Sequence, residues 1–411
     1  MPERILVRYG DLVLKGRNKK QFIRTAIQRV KEKMSSPKVT VENDHDRLYV
    51  VLHGEDHERV IRDLNFVAGL ASYSLVERSG KDLDAIKKTA QKVVDARVER
   101  PTTFKVEAKR SDKSYPLNSI ELAQHVARDI LPSNPYLKAD VHDPELTLHV
   151  EIRHDAAYLF ADKIPGIGGF PVGTMGKGLA MISGGIDSPV AAFLAMKKGI
   201  DLELIHFEST PLTPVESAQK TIDISQKLSR YAKENTITLH MVPFLDMHRT
   251  ILDLVPTPYH ITIMRRMMVR IASRYAEARH YPVLINGESI GQVASQTLPS
   301  MLLSDQVASP AVIRPLATYD KKDIVALSEA IGTYEISIRP FEDCCQVYVP
   351  KSPATKPRDY IAGRYENLFD HQALVDAALQ GIRTLIVTPE DAPCLPDKGF
   401  SVAEALGEDD A

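Results

Sequence analysis

Apolar and polar residues follow two different periods in the first 75 residues of the chain. Residues 4–10 alternate as a strand does, and residues 18–34 repeat apolar positions at helical spacing. Strand patterns recur within residues 38–52, and a second helix pattern covers residues 56–66. The sequence therefore predicts a small α+β domain over residues 1–75.

A second set of patterns covers residues 76–165. Helical periods occur at residues 82–98 and 119–131, and a strand pattern occurs at residues 103–110. Two more strand patterns lie within residues 145–160. The β-α-β-β-α order of the first domain is ferredoxin-like, and residues 76–165 are predicted to form a second small α+β domain.

Beyond residue 165 the pattern changes to that of an α/β domain. Eight glycines fall within residues 166–185, which indicates a domain junction, and we assign residues 166–178 to a linker. Strand and helix patterns then alternate, which predicts a parallel sheet covered on both faces over residues 179–411.

Composition narrows the class of protein. The chain has 411 residues, of which 44% are hydrophobic and 26% are charged, and no apolar run reaches the roughly 18 residues of a membrane span. The first residues carry charges and lack the apolar block of a signal peptide, so we expect a cytoplasmic protein. Three cysteines are too few for a disulfide framework or a four-cysteine zinc site.

The charge is distributed unevenly, although the net charge is only −2. Residues 1–33 hold ten Lys and Arg against three acidic residues, a balance of +7. A second basic run at residues 105–119 contains Lys109, Arg110 and Lys113. Two basic segments in one half of the chain favour binding of a nucleic acid, with a solvated helix face as the alternative.

The segment SGGIDSP (residues 183–189) carries the most specific chemical signal. It follows a predicted strand and opens a predicted helix, so its backbone N–H groups and the helix dipole would face an anion such as phosphate. The neighbouring glycines fit neither the P-loop nor the dinucleotide-binding pattern, because Pro171 stands where each needs a glycine. The pattern S-G-G-x-D-S resembles the PP-loop of the ATP pyrophosphatases.

Other candidate residues follow later strands, where ligands bind in open α/β sheets. His206 and Phe207 end the second strand of this domain, and residues 286–297 follow the fourth. Arg265 and Arg266 are placed near the same edge. A core histidine, a simple turn and a surface arginine pair are the alternatives.

Over essentially its full length the chain resembles the tRNA 4-thiouridine synthetases. The segments GFPVG, SGGIDSPVA, GESIGQVASQT, YDKKDI and EDCC carry the resemblance. It implies a ferredoxin-like domain, an RNA-binding THUMP domain and a PP-loop catalytic domain that uses ATP and Mg²⁺. The implied nucleotide-binding residues are Met181, Ile182, Ser183, Gly184, Gly185, Ser188, His206, Phe207, Arg265, Gly287 and Gln296.

Under this resemblance, the basic segments would bind the tRNA backbone through Lys15, Arg17, Lys19, Lys20, Lys109, Arg110 and Lys113. Uridine at position 8 would be converted to 4-thiouridine, and a role in thiamine thiazole synthesis is also implied. Asp187 would help to bind Mg²⁺, and Lys321 would stabilise charge on the α-phosphate. The sulfur would arrive as a persulfide on Cys344 or Cys345.

Longer members of this family carry a C-terminal rhodanese domain whose cysteine bears the persulfide. We expect no such domain here, and therefore a separate cysteine desulfurase, with or without a sulfur-carrier protein, as the donor. A homodimer is left open. Two alternatives from other classes also remain: a PP-loop ligase that forms amides, and a tRNA-binding protein with a vestigial ATPase.

Overall fold

The computed structural model describes residues 3–10, 16–44, 47–343 and 352–407, without the side chains of Arg17 and Asp44. The chain divides into two compact units, Met1–Phe170 and Pro171–Ala411. No helix in these described ranges is both long enough and apolar enough to cross a membrane. Each unit has its own sheet.

The first module of the amino-terminal unit contains the predicted elements and one further strand. Its elements are β1 (Arg4–Tyr9), α1 (Lys19–Lys33), β2 (Thr40–Asp44), β3 (Arg47–Val51), α2 (His57–Leu64) and β4 (Leu70–Ser79). β1 pairs antiparallel with both β3 and β4. Ile5 and Val7 of β1 pack in one buried cluster with Phe22 and Val30 of α1, as the periods of these segments require.

The second module adds α3 (Leu83–Asp95), β5 (Thr102–Arg110), α4 (Ser119–Ser133), β6 (Leu137–Ala139), β7 (Leu146–Ile152), β8 (Ala157–Phe160) and β9 (Ile164–Pro165). β5 pairs parallel with β6 and β7, whereas β8 runs antiparallel to β7 and β4. A capping box between Asn118 and Glu121 fixes the start of α4. Because β4 pairs with strands of both modules, one sheet runs in the order β2-β3-β1-β4-β8-β7-β5-β6.

The carboxy-terminal unit is an α/β domain. Its first half contains β10 (Lys177–Met181), α5 (Asp187–Lys197), β11 (Asp201–Glu208), α6 (Val215–Ser229), β12 (Ile237–Pro243), α7 (Leu245–Leu254), α8 (His260–Ala278) and β13 (Val283–Ile285). The remaining described elements are α9 (Leu298–Asp305), β14 (Ala311–Ile313), α10 (Lys321–Ala330), α11 (Tyr334–Ser337), α12 (Asp359–Glu366), α13 (His371–Gln380), β15 (Arg383–Val387) and α14 (Val402–Ala405).

The sheet of this domain is mixed, whereas the sequence analysis predicted a wholly parallel one. Its order is β14-β13-β10-β11-β12-β15, and β15 pairs antiparallel with β12 while the other neighbours are parallel. An antiparallel strand at the edge of a parallel sheet is common in doubly wound folds. Leu179 and Ile205 pack against α7 and α8, and the carboxyl ends of β10 and β13 lead into the loops described next.

Candidate active site

The loop after β10 closes on itself through its two flanking serines. The hydroxyl of Ser188 accepts a hydrogen bond from the Ser183 N–H at 2.9 Å and donates to the Ser183 carbonyl oxygen at 3.2 Å. Pro189 is the third residue of α5, inside the first turn, where helical N–H groups have no partner within the helix. The loop therefore presents glycines and a helix start, as its sequence predicts.

Gly287 allows a second loop to approach the start of α5. A Cβ atom at this position would lie 2.6 Å from the backbone nitrogen of Ser188 and 2.8 Å from the carbonyl carbon of Asp187. Only glycine avoids this overlap without moving the backbone. The carboxyl ends of β10 and β13 are thereby held in direct contact.

Asp187, the first residue of α5, is held by two side chains from other elements. Its Oδ1 atom lies 2.6 Å from Nζ of Lys321, the first residue of α10, and its Oδ2 accepts a hydrogen bond from Nε2 of Gln292 at 2.8 Å. Two of the residues predicted to act in catalysis, Asp187 and Lys321, therefore meet. Gln292 lies within the segment GESIGQVASQT that carried the resemblance, but its role was not predicted.

Arg265 is engaged with the loop of residues 286–297. It forms an ion pair with Glu288 and donates to the Ser295 carbonyl oxygen at 2.7 Å. The side-chain oxygen of Gln296 accepts a hydrogen bond from the Ser289 N–H at 3.4 Å. Both residues shape this loop, and their predicted contacts with a nucleotide stay predictions.

His206 and Phe207 end β11 and are buried with the core. Nδ1 of His206 lies 3.1 Å from the Ile182 carbonyl oxygen, which joins β11 to β10. Phe207 packs edge to face against Phe244, with ring centroids 5.5 Å apart. Ile182 is also buried, and Met181 is partly buried. The predicted contacts of these four residues with a nucleotide stay predictions.

A buried carboxylate that the sequence analysis missed binds the PP-loop. Asp343 accepts a hydrogen bond from the Gly184 N–H at 2.7 Å and another from the Ser217 hydroxyl of α6 at 2.6 Å. Lys220, one turn further along α6, donates to the carbonyl oxygens of Arg339 and Phe341 at 3.1 and 2.9 Å. Burial lowers the pKa of Lys220, and the charge of Asp343 opposes this shift.

Cys344 and Cys345 lie outside the residues that the structure describes. Cys394 is exposed, and a hydrogen bond with Asp397 raises the pKa of its thiol, which lowers the thiolate fraction. Within the described ranges, no group of three or more His, Cys, Asp or Glu side chains forms a metal site.

The amino-terminal unit contains a cavity of about 710 Å³ between its two modules. Arg8 and Arg47 line it from the first module, and Lys105, Lys109 and Lys163 line it from the second. Two carboxylates, of Glu107 and Glu151, leave the lining with three more positive than negative charges. Apolar walls and excess positive charge suit a nucleic acid strand.

The predicted RNA-binding residues have different surroundings. Lys20, Lys109 and Lys113 are exposed and Lys19 is half-buried, but Lys15 and the side chain of Arg17 lie outside the described residues. Arg110 donates to the carbonyl oxygens of Tyr115 and Leu117 at 2.8 and 3.2 Å, so it holds the loop after β5. The cavity between the modules was not predicted, because its lining is spread over both.

Family models match three consecutive parts of the chain. The ThiI ferredoxin-like domain matches residues 4–74, the THUMP domain residues 80–162, and the thiamine biosynthesis protein (ThiI) model residues 173–370. The chain is 48% identical over 406 residues to the probable tRNA sulfurtransferase of Acholeplasma laidlawii (strain PG-8A), covering 99% of this chain and 98% of that protein.

Solved structures give the same result for the fold. A 4-thiouridine synthetase in complex with RNA and ATP is 32% identical, with a TM-score of 0.85, over 94% of this chain and all of that one. PH1313 from Pyrococcus horikoshii, at 21% identity and a TM-score of 0.61 over 80% of this chain and 99% of its own, shares the fold. With a near full-length relative at 48% identity and three family models in order, the chain belongs to the ThiI family of tRNA sulfurtransferases.

Proposed function

We propose that this protein uses ATP to convert a uridine of tRNA, at position 8, into 4-thiouridine. The observation that carries the proposal is the Asp187–Lys321 pair at the start of α5, directly after the S-G-G turn. A carboxylate and an ammonium group beside a glycine turn and the N-terminus of a helix suit the cleavage of a nucleoside triphosphate. The near full-length likeness to a probable tRNA sulfurtransferase supports this choice of reaction.

The ATP phosphates would lie against the loop of residues 183–188 and the start of α5. The surroundings of Asp187 fit Mg²⁺, because this ion binds through one or two carboxylates together with phosphate oxygens and water. When bound, Mg²⁺ would neutralise phosphate charge. The side chain of Lys321 is 45% exposed, so its ammonium group would be open to a phosphate oxygen as a second partner beside Asp187.

The reaction has two steps. In the first, oxygen 4 of the uridine attacks the α-phosphate of ATP, and pyrophosphate leaves. In the second, the terminal sulfur of a persulfide on Cys344 or Cys345 attacks carbon 4, and oxygen 4 leaves with AMP. A second thiol then attacks the cysteine sulfur of the resulting C4–S–S–Cys linkage, which forms a disulfide with that cysteine and releases 4-thiouridine. Reduction of this disulfide by an external thiol, such as the free cysteine in the reaction, restores the protein. A cysteine desulfurase, directly or through a sulfur-carrier protein, would load the persulfide.

The tRNA would be bound through the amino-terminal unit. Its cavity offers Arg8, Lys105 and Lys109 to phosphates, and Arg8 already lies over the ring of Phe160 with its guanidinium carbon 4.7 Å from the ring centroid. Phe160 is 1% exposed and stacks on His149, so it would hold Arg8 in place while the guanidinium group attracts phosphate by its charge. This surface would position the tRNA without reading its sequence.

The test is mass analysis of nucleosides from tRNA incubated with the protein, ATP, Mg²⁺, cysteine and a desulfurase. We expect 4-thiouridine, with AMP and pyrophosphate as products. Asp187→Ala should abolish both AMP and 4-thiouridine formation, because it removes the carboxylate beside the phosphates. Cys344→Ala combined with Cys345→Ala should still form AMP but no 4-thiouridine.

Different results would favour the alternatives. Formation of AMP without tRNA but with ammonia and a carboxylate substrate would identify an amide-forming ligase. Binding of tRNA without any AMP formation would identify a binding protein with a vestigial ATPase. Normal thiolation by the double cysteine variant would show that another sulfur carrier acts.

A further inference from the structure

Asp343 connects two parts of the chain that act in different steps of the proposed reaction. Its carboxylate binds the N–H of Gly184 in the PP-loop, 159 positions earlier in the sequence. The next residue after Asp343 is Cys344. The residue that precedes the first candidate cysteine in the sequence therefore contacts the nucleotide loop through a buried side chain.

The contacts of Asp343 make this connection stiff. The residue is 8% exposed, and each of its carboxylate oxygens accepts a short hydrogen bond, from Gly184 at 2.7 Å and from Ser217 at 2.6 Å. A hydrogen bond to a buried carboxylate is stronger than one between neutral groups. Gly184 also leaves space for the side chain of Lys220, because a Cβ there would lie 3.0 Å from the Cε atom of Lys220.

Lys220 completes the arrangement from the same face of α6 as Ser217. Its buried ammonium group binds the carbonyl oxygens of Arg339 and Phe341, so it holds the chain just before Asp343. Ser337 donates to the carbonyl oxygen of Gly185 at 3.2 Å, which adds a second link to the loop. Arg339 also forms an ion pair with Asp223 of α6. Residues 337–343 are therefore tied to the PP-loop at two points and to α6 through three of its side chains.

We propose that Asp343 is a positioning residue that ties the segment entering Cys344 to the PP-loop, so that sulfur transfer depends on this carboxylate more than uridine activation does. This inference rests on the proposed function. Activation needs Asp187, Lys321 and the loop, and without Asp343 the loop still keeps its closure between Ser183 and Ser188. It also keeps its link to Ser337. Transfer also needs the cysteine beside the activated base, and misplacement by about 1 Å can cost about 100-fold in rate.

The test compares Asp343→Ala and Asp343→Asn with Glu342→Gln. Glu342 is the adjacent, exposed carboxylate, so its change removes the same charge without touching Gly184. Asp343→Asn can keep both hydrogen bonds, with its amide oxygen toward Gly184 and its NH₂ group toward Ser217. It therefore controls for a failure of Asp343→Ala to fold.

The measurement is the ratio of AMP to 4-thiouridine formed, together with the thermal midpoint of each variant. For Asp343→Ala we expect this ratio to rise at least about tenfold while AMP formation changes less than about threefold. Asp343→Asn should show a smaller rise, and Glu342→Gln no change. An unchanged ratio, including a proportional loss of both products, would overturn the inference. If the ratio is unchanged and ATP binds more tightly to Asp343→Ala, Asp343 competes with phosphate for the loop, and the inference is likewise wrong.

A second measurement separates this inference from the proposed function. The rate at which iodoacetamide modifies Cys344 and Cys345, followed by peptide mass analysis, needs no substrate. We expect Asp343→Ala and Ser217→Ala to change this rate at least about threefold, and Glu342→Gln to leave it unaltered. If the wild-type protein makes no 4-thiouridine but the modification rates of the variants still differ from its own, the proposed function is wrong and the positioning role of Asp343 is supported. Equal modification rates in all variants would refute the positioning role.

Discussion

Asp187 has a lysine on one carboxylate oxygen and an amide on the other, at 2.6 and 2.8 Å. The lysine side is partly open to solvent, since the side chain of Lys321 is 45% exposed. An exposed ion pair of this kind adds only about 0–1 kcal/mol to folding stability. The pair therefore adds little to folding stability, and the charged groups of Asp187 and Lys321 remain available to a ligand.

Lys321→Met should lower AMP formation at least about 100-fold, because it removes the cation that would stabilise charge on the reacting phosphate. The thermal midpoint should change little. Lys322→Met is the matched control, since Lys322 is the next residue of α10 and is equally exposed. Rates of AMP formation, measured for both variants at saturating ATP, check this prediction. Equal losses in the two variants would contradict it.

At this scale the sequence predicted contacts between residues that lie close together along the chain. Ser183, Gly184 and Asp187 could be identified because a turn and a helix start need them close together in sequence. Asp343 lies in the EDCC segment that carried the resemblance, but its contact with the PP-loop was not predicted, because its partner Gly184 is 159 positions away. Burial and distant partners are properties of the folded chain only.

At the scale of the elements, the loop after β13 contacts the start of α5 closely because Gly287 has no side chain. Gly287→Ala would place a Cβ 2.6 Å from the Ser188 nitrogen, so one of the two loops must move. We expect a loss of about 1–3 kcal/mol in the free energy of unfolding, as for other overpacked sites. AMP formation should fall with it, because the phosphate-facing loop is displaced.

Gly363→Ala is the control for this prediction. Gly363 lies inside α12, and no atom stands within 4 Å of a Cβ built there. Alanine should therefore raise stability by about 0.5–1 kcal/mol through its higher helix propensity. Urea denaturation of both variants measures the difference. If Gly287→Ala were as stable as Gly363→Ala, the close approach would be disproved.

Elements with regular periods were predicted well, and those with irregular ones were not. β1, α1 and β5 follow their patterns closely. β4 was missed because serines occupy buried positions in it: Ser74 is 0% exposed and Ser79 is 8% exposed. β15 was missed because its residues alternate between half-buried and exposed and end with one buried valine, a weak signal for an edge strand.

For the molecule as a whole, two exposed lysines test the tRNA-binding prediction. Lys109→Ala combined with Lys113→Ala should weaken tRNA binding. The slope of log affinity against log salt concentration should become smaller in magnitude by roughly 0.7–0.9 for each phosphate that the variant no longer binds. Arg110 is left unchanged because it holds the loop after β5. Binding titrations at several salt concentrations measure the slope.

The control for this pair is Lys88→Ala combined with Lys138→Ala. Both residues are exposed in the same module, and neither lines the cavity between the modules. Their removal should change the salt slope less than the removal of Lys109 and Lys113 does. If both pairs lower the slope equally, general positive charge explains binding and no defined surface is needed.

The strand β4 has a consequence for how the amino-terminal unit comes apart. Its residues 70–76 pair with β1 and residues 77–79 pair with β8, so the two modules share one uninterrupted strand about 33 Å long. A strand that pairs with both modules contains no linker at which the modules could separate. Melting either module must fray the other, and the unit is expected to unfold as one cooperative block. The two small modules are thus consecutive in sequence, but we expect a single unfolding transition for both.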